Sequence, residues 1–222
     1  MKTSHSHQNK FENNAPSRSA LFLHIPKTAG MSLYYVLEAA YGKQHALRFP
    51  RSTEEYKQNF LDMPGPELDR FRLLSGHLDL PTFLSRNMKG RVIFAMLREP
   101  VERVLSDYGY IAGWKDHPLH NSIGQMSLEE YVEFQETESN RNRQCRMLCG
   151  HADFIEAKRW VLEHVNLLGA VESMNIFLAA LGELLETQLT IGKENQTKIV
   201  RTKRDDITSS LCSRLLNANI ED

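Results

Sequence analysis

A short apolar run that ends in a polar turn is the feature of this sequence that most constrains its fold. Residues 20–25 read Ala-Leu-Phe-Leu-His-Ile, without the alternation of a strand that is exposed on one face. Such a run is typical of a strand buried on both faces of a parallel sheet. A turn follows at residues 26–30, and apolar residues then recur at helical spacing over residues 31–41. The pattern predicts strand, tight loop and helix, the unit of α/β folds.

The rest of the chain repeats this alternation of strands and helices. Further strands are predicted at 71–77, 91–97 and 165–171, and helices at 101–112, 127–135, 140–149, 153–164, 174–186 and 208–217. Ser127, Asp153 and Ser173 are predicted helix caps. Because no hairpin signal joins consecutive strands, we expect an α/β sandwich around a central, mostly parallel sheet. The segment 43–69 is predicted as loop and short helix.

Length and charge narrow the function classes. At 222 residues the chain predicts one domain, residues 20–222, after a loose polar tail at residues 1–19. Lys and Arg total 27 against 28 Asp and Glu, so the net charge is -1 and no global excess of positive charge is available for nucleic acid. With no membrane-spanning run and no secretory signal, the sequence predicts a soluble, cytoplasmic protein that does not insert into membranes. The oligomeric state is not indicated.

Polar residues follow the predicted strands at the sheet edge where open parallel sheets bind ligands. Lys27 and Thr28 follow the first strand and lead into a helix N-terminus that begins near Gly30. Backbone N–H groups at such a turn, with the Lys27 charge and a hydroxyl from Thr28 or Ser32, suit a phosphate or sulfate. An isolated Lys-Thr-x-Gly is equally compatible with a solvated turn, and its place after a buried strand favours the anion site.

The two neighbouring strands end in residues of complementary chemistry. Arg98 follows the third strand, and Ser106 lies eight residues on, near the same face of the next helix, so the two could grip a second phosphate. His77 follows the second strand. A lone histidine is more often structural, but beside two anion sites it fits proton transfer.

The absence of a metal-binding pattern separates this site from phosphate-loop kinases. Those enzymes hold Mg²⁺ with a loop hydroxyl and an Asp at the end of a neighbouring strand, whereas here the neighbouring strands end in His77 and Arg98. Cys145, Cys149 and His151 admit a metal hypothesis, but no fourth ligand is evident and half-buried thiols fit their spacing better. We therefore predict an anion site without metal.

Two motifs of the sequence resemble one enzyme family. Residues 23–30, Leu-His-Ile-Pro-Lys-Thr-Ala-Gly, and residues 97–108, Leu-Arg-Glu-Pro-Val-Glu-Arg-Val-Leu-Ser-Asp-Tyr, resemble the nucleotide-binding motifs of carbohydrate sulfotransferases of the heparan sulfate 2-O-sulfotransferase type. Similarity continues through residues 142–150 and 167–185, so it covers most of the chain from residue 21. The resemblance implies a P-loop-like α/β fold and 3'-phosphoadenosine 5'-phosphosulfate (PAPS) as sulfuryl donor.

The resemblance also implies roles for individual residues. His77 matches the family's general base toward the acceptor hydroxyl, and Arg98 and Ser106 would hold the 3'-phosphate. Met31 departs from the small or hydroxylated residue that is common at its position, although its backbone N–H remains a donor. The residues that would wrap the 5'-phosphosulfate, with Lys27 also catalytic, are Lys27, Thr28, Ala29, Gly30, Met31 and Ser32.

The predicted function is in-line transfer of a sulfuryl group from PAPS to an acceptor hydroxyl, with PAP as product and a carbohydrate as the expected acceptor. Two alternatives stay open at this point: a small-molecule kinase, and an inactive nucleotide-binding module of the same fold. In related enzymes a loop near residues 193–204 closes over the adenosine, so Lys198, Arg201 or Lys203 could contact the nucleotide, although a solvated surface run is the default for such a cluster. Acceptor specificity is expected in segment 43–69 and in the loops near Trp114.

Overall fold

A computed structural model describes residues 15–137, 140–190 and 202–222. Five strands form one parallel sheet in the order β2-β3-β1-β4-β5. The strands are β1 (Ala20–Leu23), β2 (Ala46–Phe49), β3 (Leu73–Gly76), β4 (Val92–Leu97) and β5 (Leu167–Ala170). The helices are α1 (Gly30–Tyr41), α2 (Glu54–Asp62), α3 (Gly65–Leu68), α4 (Leu80–Leu84), α5 (Pro100–Gly113), α6 (Leu128–Gln135), α7 (Arg143–Cys149), α8 (Phe154–His164), α9 (Met174–Leu185) and α10 (Ser209–Ala218).

Both faces of the sheet are covered, which explains the unbroken apolar run of β1. Leu21 and Leu23 point to one face and pack with residues from α2, α4, α7 and α8. Ala20 and Phe22 point to the other face and pack with α1 and α9. Because side chains alternate along a strand, two helical layers require apolar residues at every position. The predicted α/β sandwich of three layers around a parallel sheet is confirmed.

A third apolar cluster lies beside the sandwich and holds α5 in place. Val104 and Leu105 of α5 pack with Tyr131 of α6 and Leu215 of α10. Helix α6 begins at a capping box, in which the Ser127 hydroxyl accepts the Glu130 N–H and the Glu130 carboxylate accepts the Ser127 N–H. These contacts fix the helix that follows β4 and faces the strand ends.

Most predicted elements are found, with ends that differ by a few residues. Ser127 and Asp153 cap their helices through the side chain, whereas Ser173 precedes α9 without a side-chain capping bond. Strand β2 was not predicted, because segment 43–69 was expected to hold only loop and short helix. Four residues at the sheet edge, half of them polar or small, carry too weak a pattern to be recognised.

The chain contacts the domain before the apolar run begins. The Ser17 N–H donates to the Leu185 carbonyl at 3.1 Å, and the Ser17 hydroxyl donates to the Glu186 carboxylate at 2.7 Å. The Arg72 guanidinium donates to the Pro16 carbonyl. Residues 15–19 are thus bound to the end of α9 and to the sheet. Because these contacts are polar, the sequence shows no hydrophobic pattern that would predict them. The rest of the expected tail, residues 1–14, lies outside the described residues.

Candidate active site

The loop between β1 and α1 has an alternating backbone that concentrates N–H groups. Lys27 and Ala29 adopt positive φ angles of 71° and 59°, and Thr28 between them does not. Alternation of left- and right-handed residues turns successive N–H groups toward one side, which makes an anion-binding nest. Each non-glycine residue with positive φ costs about 1–3 kcal/mol, and such strain is concentrated at functional sites. The backbone conformation thus matches the predicted anion cradle.

Gly30 allows this loop to close over a buried histidine. A Cβ added to Gly30 would lie 1.9 Å from the His24 ring. The His24 ring is 3% exposed and stacks on Phe22, with ring centroids 5.3 Å apart. Its Nδ1 has no hydrogen-bond partner among the described residues. The first turn of α1 therefore rests directly on the imidazole, so this position must be glycine.

The remaining residues predicted for the loop differ in what their side chains do. The Thr28 hydroxyl is buried and donates to the Ile25 carbonyl at 2.8 Å, so Thr28 offers an anion its backbone N–H and not its hydroxyl. The Met31 sulfur accepts a hydrogen bond from Arg48 at 3.0 Å. Ser32 lies half-buried in the first turn of α1. The loop would therefore bind an anion mainly through its backbone.

Arg98 reaches the loop because β4 is longer than β1. Leu23, the last residue of β1, is level with Ala95, so β4 continues for two residues, Met96 and Leu97. The Arg98 guanidinium then contacts the Lys27 carbonyl at 3.5 Å and the Glu102 carboxylate at 3.1 Å. The structure thus brings the two predicted anion sites together.

A residue that the sequence prediction missed holds the Arg98 backbone. The buried Gln144 side chain accepts the Arg98 N–H at 2.9 Å and donates to the Arg98 carbonyl at 3.0 Å. This pair of bonds replaces a neighbouring strand at the end of β4. It fixes the point at which the Arg98 side chain leaves the main chain.

One face of α5 lies along the loop. Glu102, Ser106 and Tyr110 are spaced four residues apart and so share a helix face. Arg98 binds Glu102 at one end of this face, and the Lys27 ammonium lies 3.6 Å from the Tyr110 ring centroid at the other. The half-buried Ser106 lies between them. The spacing that suggested a shared face for Arg98 and Ser106 agrees with this arrangement.

His77 lies beside His24 at the ends of β3 and β1. The His24 N–H donates to the Gly76 carbonyl and the His77 N–H to the Phe49 carbonyl, both at 2.9 Å, which extends the ladder by one residue. The two imidazole centroids are 4.4 Å apart in an edge-to-face arrangement. His77 thus lies next to the ring that supports Gly30, at the end of the neighbouring strand.

Burial and nearby cations keep both histidines neutral. Desolvation, followed by the charges of Arg143, Arg48 and Lys27, lowers the pKa of His77 to about 4. Desolvation, His77, Arg48 and Lys27 hold the pKa of His24 well below its usual value. A neutral imidazole can accept a proton, and the surrounding positive charges favour an anionic ligand.

Arg48 is the second functional candidate that the sequence prediction missed. It is on β2, level with Ser75 of β3, and its guanidinium lies 5.1 Å from the Tyr34 ring centroid. Its charge acts on both His24 and His77. The alternation of residues 46–49, followed by Pro50, was the one available signal for this strand.

The C-terminal end of the basic segment after α9, at Arg204, lies close to the residues that contact Arg98. The Arg204 N–H donates to the Glu102 carboxylate at 3.0 Å, and the Arg204 side chain binds Glu99 at 3.1 Å. Lys203 is next to this contact in sequence. Lys198 and Arg201 lie outside the described residues, so their predicted nucleotide contacts stay predictions.

Cys145 and Cys149 are thiols that donate to backbone carbonyls. Cys145 donates to the Glu221 carbonyl at 2.7 Å, and Cys149 donates to the Cys145 carbonyl at 3.3 Å. Among the residues that the structure describes, no group of three or more His, Cys, Asp or Glu side chains could hold a metal ion. No helix in the described ranges has the length and apolar character needed to cross a bilayer.

Comparison with known proteins identifies the class to which this fold and site belong. The family model described as the sulfotransferase family matches residues 13–211. The chain therefore belongs to the sulfotransferase family, which confirms the predicted resemblance at the level of the family.

The chain is also similar to a solved structure, mouse sulfotransferase SULT7A1 complexed with PAP. The identity is 12%, the TM-score is 0.47, and the match covers 92% of this chain and 64% of the mouse protein. This chain thus spans less than two thirds of that protein's length. No curated protein matches the sequence.

Proposed function

We propose that this protein transfers the sulfuryl group of PAPS to a hydroxyl group of an acceptor molecule. The observation that carries the proposal is the convergence of the strained loop at Lys27, the Arg98 guanidinium and the His77 imidazole at one edge of the sheet. Membership of the sulfotransferase family supports the same donor.

The donor would lie across two anion sites. The N–H groups of the loop from Lys27 to Ser32 and the positive end of α1 would bind the 5'-phosphosulfate. Arg98, with Ser106 on the adjacent face of α5, would bind the 3'-phosphate. Arg98 already touches the Lys27 carbonyl, so both phosphates of one nucleotide could be bound together. Charge-assisted hydrogen bonds of this kind are the strongest that proteins make.

The chemistry requires one proton transfer and one group transfer. The acceptor oxygen attacks sulfur as its proton moves to the neutral His77 imidazole, and the bond from sulfur to the bridging oxygen breaks. That oxygen leaves with the electron pair as part of PAP, and Lys27 and the loop N–H groups stabilise its negative charge. His77 then releases its proton to solvent. No metal ion takes part in this scheme.

The acceptor side of the site favours a ring-shaped alcohol, and we propose a carbohydrate. Tyr110, Trp114 and His117 form an aromatic cluster, with centroids 5.4–5.5 Å apart, beside the Lys27 ammonium. Trp114 is 40% exposed, so its ring can pack against the apolar face of a sugar. The cytoplasmic location predicted from the sequence stays a prediction.

The test combines donor binding with transfer. Calorimetry with PAP, with and without EDTA, and transfer of labelled sulfate from PAPS to a panel of glycans and simple alcohols are measured on wild type and His77→Ala. We expect PAP binding that EDTA does not affect, and labelling whose rate His77→Ala lowers by about 10²- to 10⁴-fold.

Other outcomes would overturn parts of the proposal. ATP binding that requires Mg²⁺, with no affinity for PAP, would favour the kinase alternative. PAP binding with no labelling of any acceptor would favour the inactive module. Labelling of simple alcohols but of no glycan would refute the carbohydrate acceptor alone.

A further inference from the structure

Tyr110 makes a contact with the proposed catalytic lysine that the scheme above does not use. The Lys27 ammonium nitrogen lies 3.6 Å from the centroid of the Tyr110 ring. A cation this close to an aromatic face is attracted by the electrons of the ring, and the attraction is strongest where water is displaced. Tyr110 is itself half-buried on α5, so the contact is partly shielded from solvent.

The orientation of the Tyr110 ring is fixed by its neighbours. The Trp114 ring lies 5.5 Å from it at an interplanar angle of 51°, and the His117 ring lies 5.4 Å from it at 77°. Trp114 and His117 also contact each other at 5.4 Å. Three rings in mutual contact hold one another in place, so the face that Tyr110 presents to Lys27 is preformed.

Lys27 extends from the strained loop to this ring. Its backbone has a φ of 71°, and its ammonium contacts Tyr110 on α5. From there its charge acts on His24, His77 and His117. A lysine side chain has four flexible carbons and loses much conformational entropy when it is held. A preformed ring face lowers the number of positions that the ammonium visits before the donor arrives.

We infer that Tyr110 is a positioning residue, whose ring holds the Lys27 ammonium within reach of both the loop and His77. The inference rests on the proposed sulfuryl transfer for its kinetic consequence, but the contact itself does not. The ring face performs this role and the phenol hydroxyl does not, because the ammonium lies over the centroid. Loss of the ring should therefore slow transfer more than it weakens binding of PAP, which lacks the sulfuryl group.

The test compares Tyr110→Leu, which removes the aromatic face, with Tyr110→Phe, which keeps it. For Tyr110→Leu we expect kcat to fall about 3- to 30-fold, the range that corresponds to a cation–π contact. The Kd for PAP should change less than kcat does. Tyr110→Phe should restore most of the wild-type kcat. Far-UV circular dichroism and the unfolding temperature check that both variants fold.

Nuclear magnetic resonance provides a readout that does not depend on activity. In protein labelled with ¹³C-lysine, the ε-methylene protons of Lys27, assigned by their loss in Lys27→Met, should be shifted upfield by the Tyr110 ring. The shift should persist in Tyr110→Phe and disappear in Tyr110→Leu. An unshifted signal in wild type, or equal loss of kcat in Tyr110→Phe and Tyr110→Leu, would overturn the inference.

The two proposals fail in different ways. If wild-type protein neither binds PAP nor transfers sulfate, the proposed function fails, and the proton shifts still report whether Tyr110 holds Lys27. If PAP binds and sulfate is transferred but the shifts are absent, the positioning role alone is refuted.

Discussion

The two sides of the candidate site are built in different ways. The proposed donor side consists of the loop after the central strand β1 and of Arg98 after β4, whose backbone is fixed by the buried Gln144. The proposed acceptor side contains exposed rings such as Trp114, and we place Arg48 of the edge strand β2 on this side as well. A fixed centre with a more exposed edge would allow one donor to be used with different acceptors.

The largest effect is expected where the two sides meet. Replacement of His77 by alanine removes the proposed general base, which is worth about 10²- to 10⁴-fold in rate, while PAP affinity should stay within about 3-fold. Initial rates and calorimetry measure the two quantities. His164→Ala, a histidine on α8, is the matched control. A His77→Ala protein with wild-type kcat would refute the assignment.

Arg98 tests the donor side. Loss of a hydrogen bond to a charged group costs about 1.5–3 kcal/mol, so Arg98→Ala should weaken PAP binding by about 10- to 150-fold. Binding of adenosine 5'-monophosphate, which lacks the 3'-phosphate, should change little. Arg214→Ala controls for the loss of a positive charge, because the Arg214 guanidinium is paired with Glu136 and is not part of the proposed site. Equal weakening of both nucleotides would contradict a specific 3'-phosphate contact.

A substitution at Gly30 tests whether the His24 ring supports the loop. A Cβ at this position overlaps the His24 ring, so Gly30→Ala should cost about 1–3 kcal/mol in the free energy of unfolding and weaken PAP binding. Urea denaturation measures the first effect. The double variant Gly30→Ala/His24→Ala should be less destabilised than the sum of the two single changes, because the clash is gone. Strict additivity would show that the ring does not constrain the loop.

Arg48 tests the acceptor side. Arg48→Met keeps the aliphatic stem and removes the charge of a partly exposed group, so we expect a rise of about 3- to 5-fold in the KM for acceptor. PAP affinity should remain at the wild-type value. The exposed Arg70 provides the control variant Arg70→Met. If Arg48→Met weakened PAP binding and left the KM for acceptor unchanged, Arg48 would belong to the donor side of the site.

The smallest effect concerns stability at low pH. The pKa of His77 is lowered to about 4 in the folded protein, below the unfolded value of about 6.5, so the unfolded state binds the extra proton first. Stability should therefore fall as the pH drops from about 6.5 to about 4. The decline should be shallower in His77→Gln. Unfolding temperatures at half-unit pH steps measure this, and parallel curves would show that His77 titrates normally.

The donor side could be predicted from the sequence because backbone geometry leaves strong local signals. The buried strand before Lys27, the glycine at Gly30 and the proline after Arg98 all mark strand ends, and the carboxyl ends of parallel strands lie at one edge. The shared site of Lys27, Arg98 and His77 followed from topology.

The acceptor side, and the donor-side details at Gln144 and Thr28, could not be predicted because their signals depend on tertiary contacts. Strand β2 is four residues long and lies at the edge, so neither its pairing nor the place of Arg48 is encoded locally. Gln144 lies 46 residues from Arg98 in the sequence, and a buried glutamine resembles a surface glutamine in sequence. The role of Thr28 was also hidden, because the direction of a hydroxyl depends on the fold.

The unequal lengths of β1 and β4 set how far apart the two proposed anion sites lie. Two additional residues extend the end of β4 at Leu97 about 7 Å beyond the level at which β1 ends, at about 3.3 Å per residue, and Arg98 follows directly. A nucleotide with phosphate at one end only would occupy one of the two proposed anion sites. The cation of the other site, Lys27 or Arg98, would then stay hydrated. Under the proposed donor binding, the unequal strand lengths therefore favour bisphosphorylated over monophosphorylated adenosines.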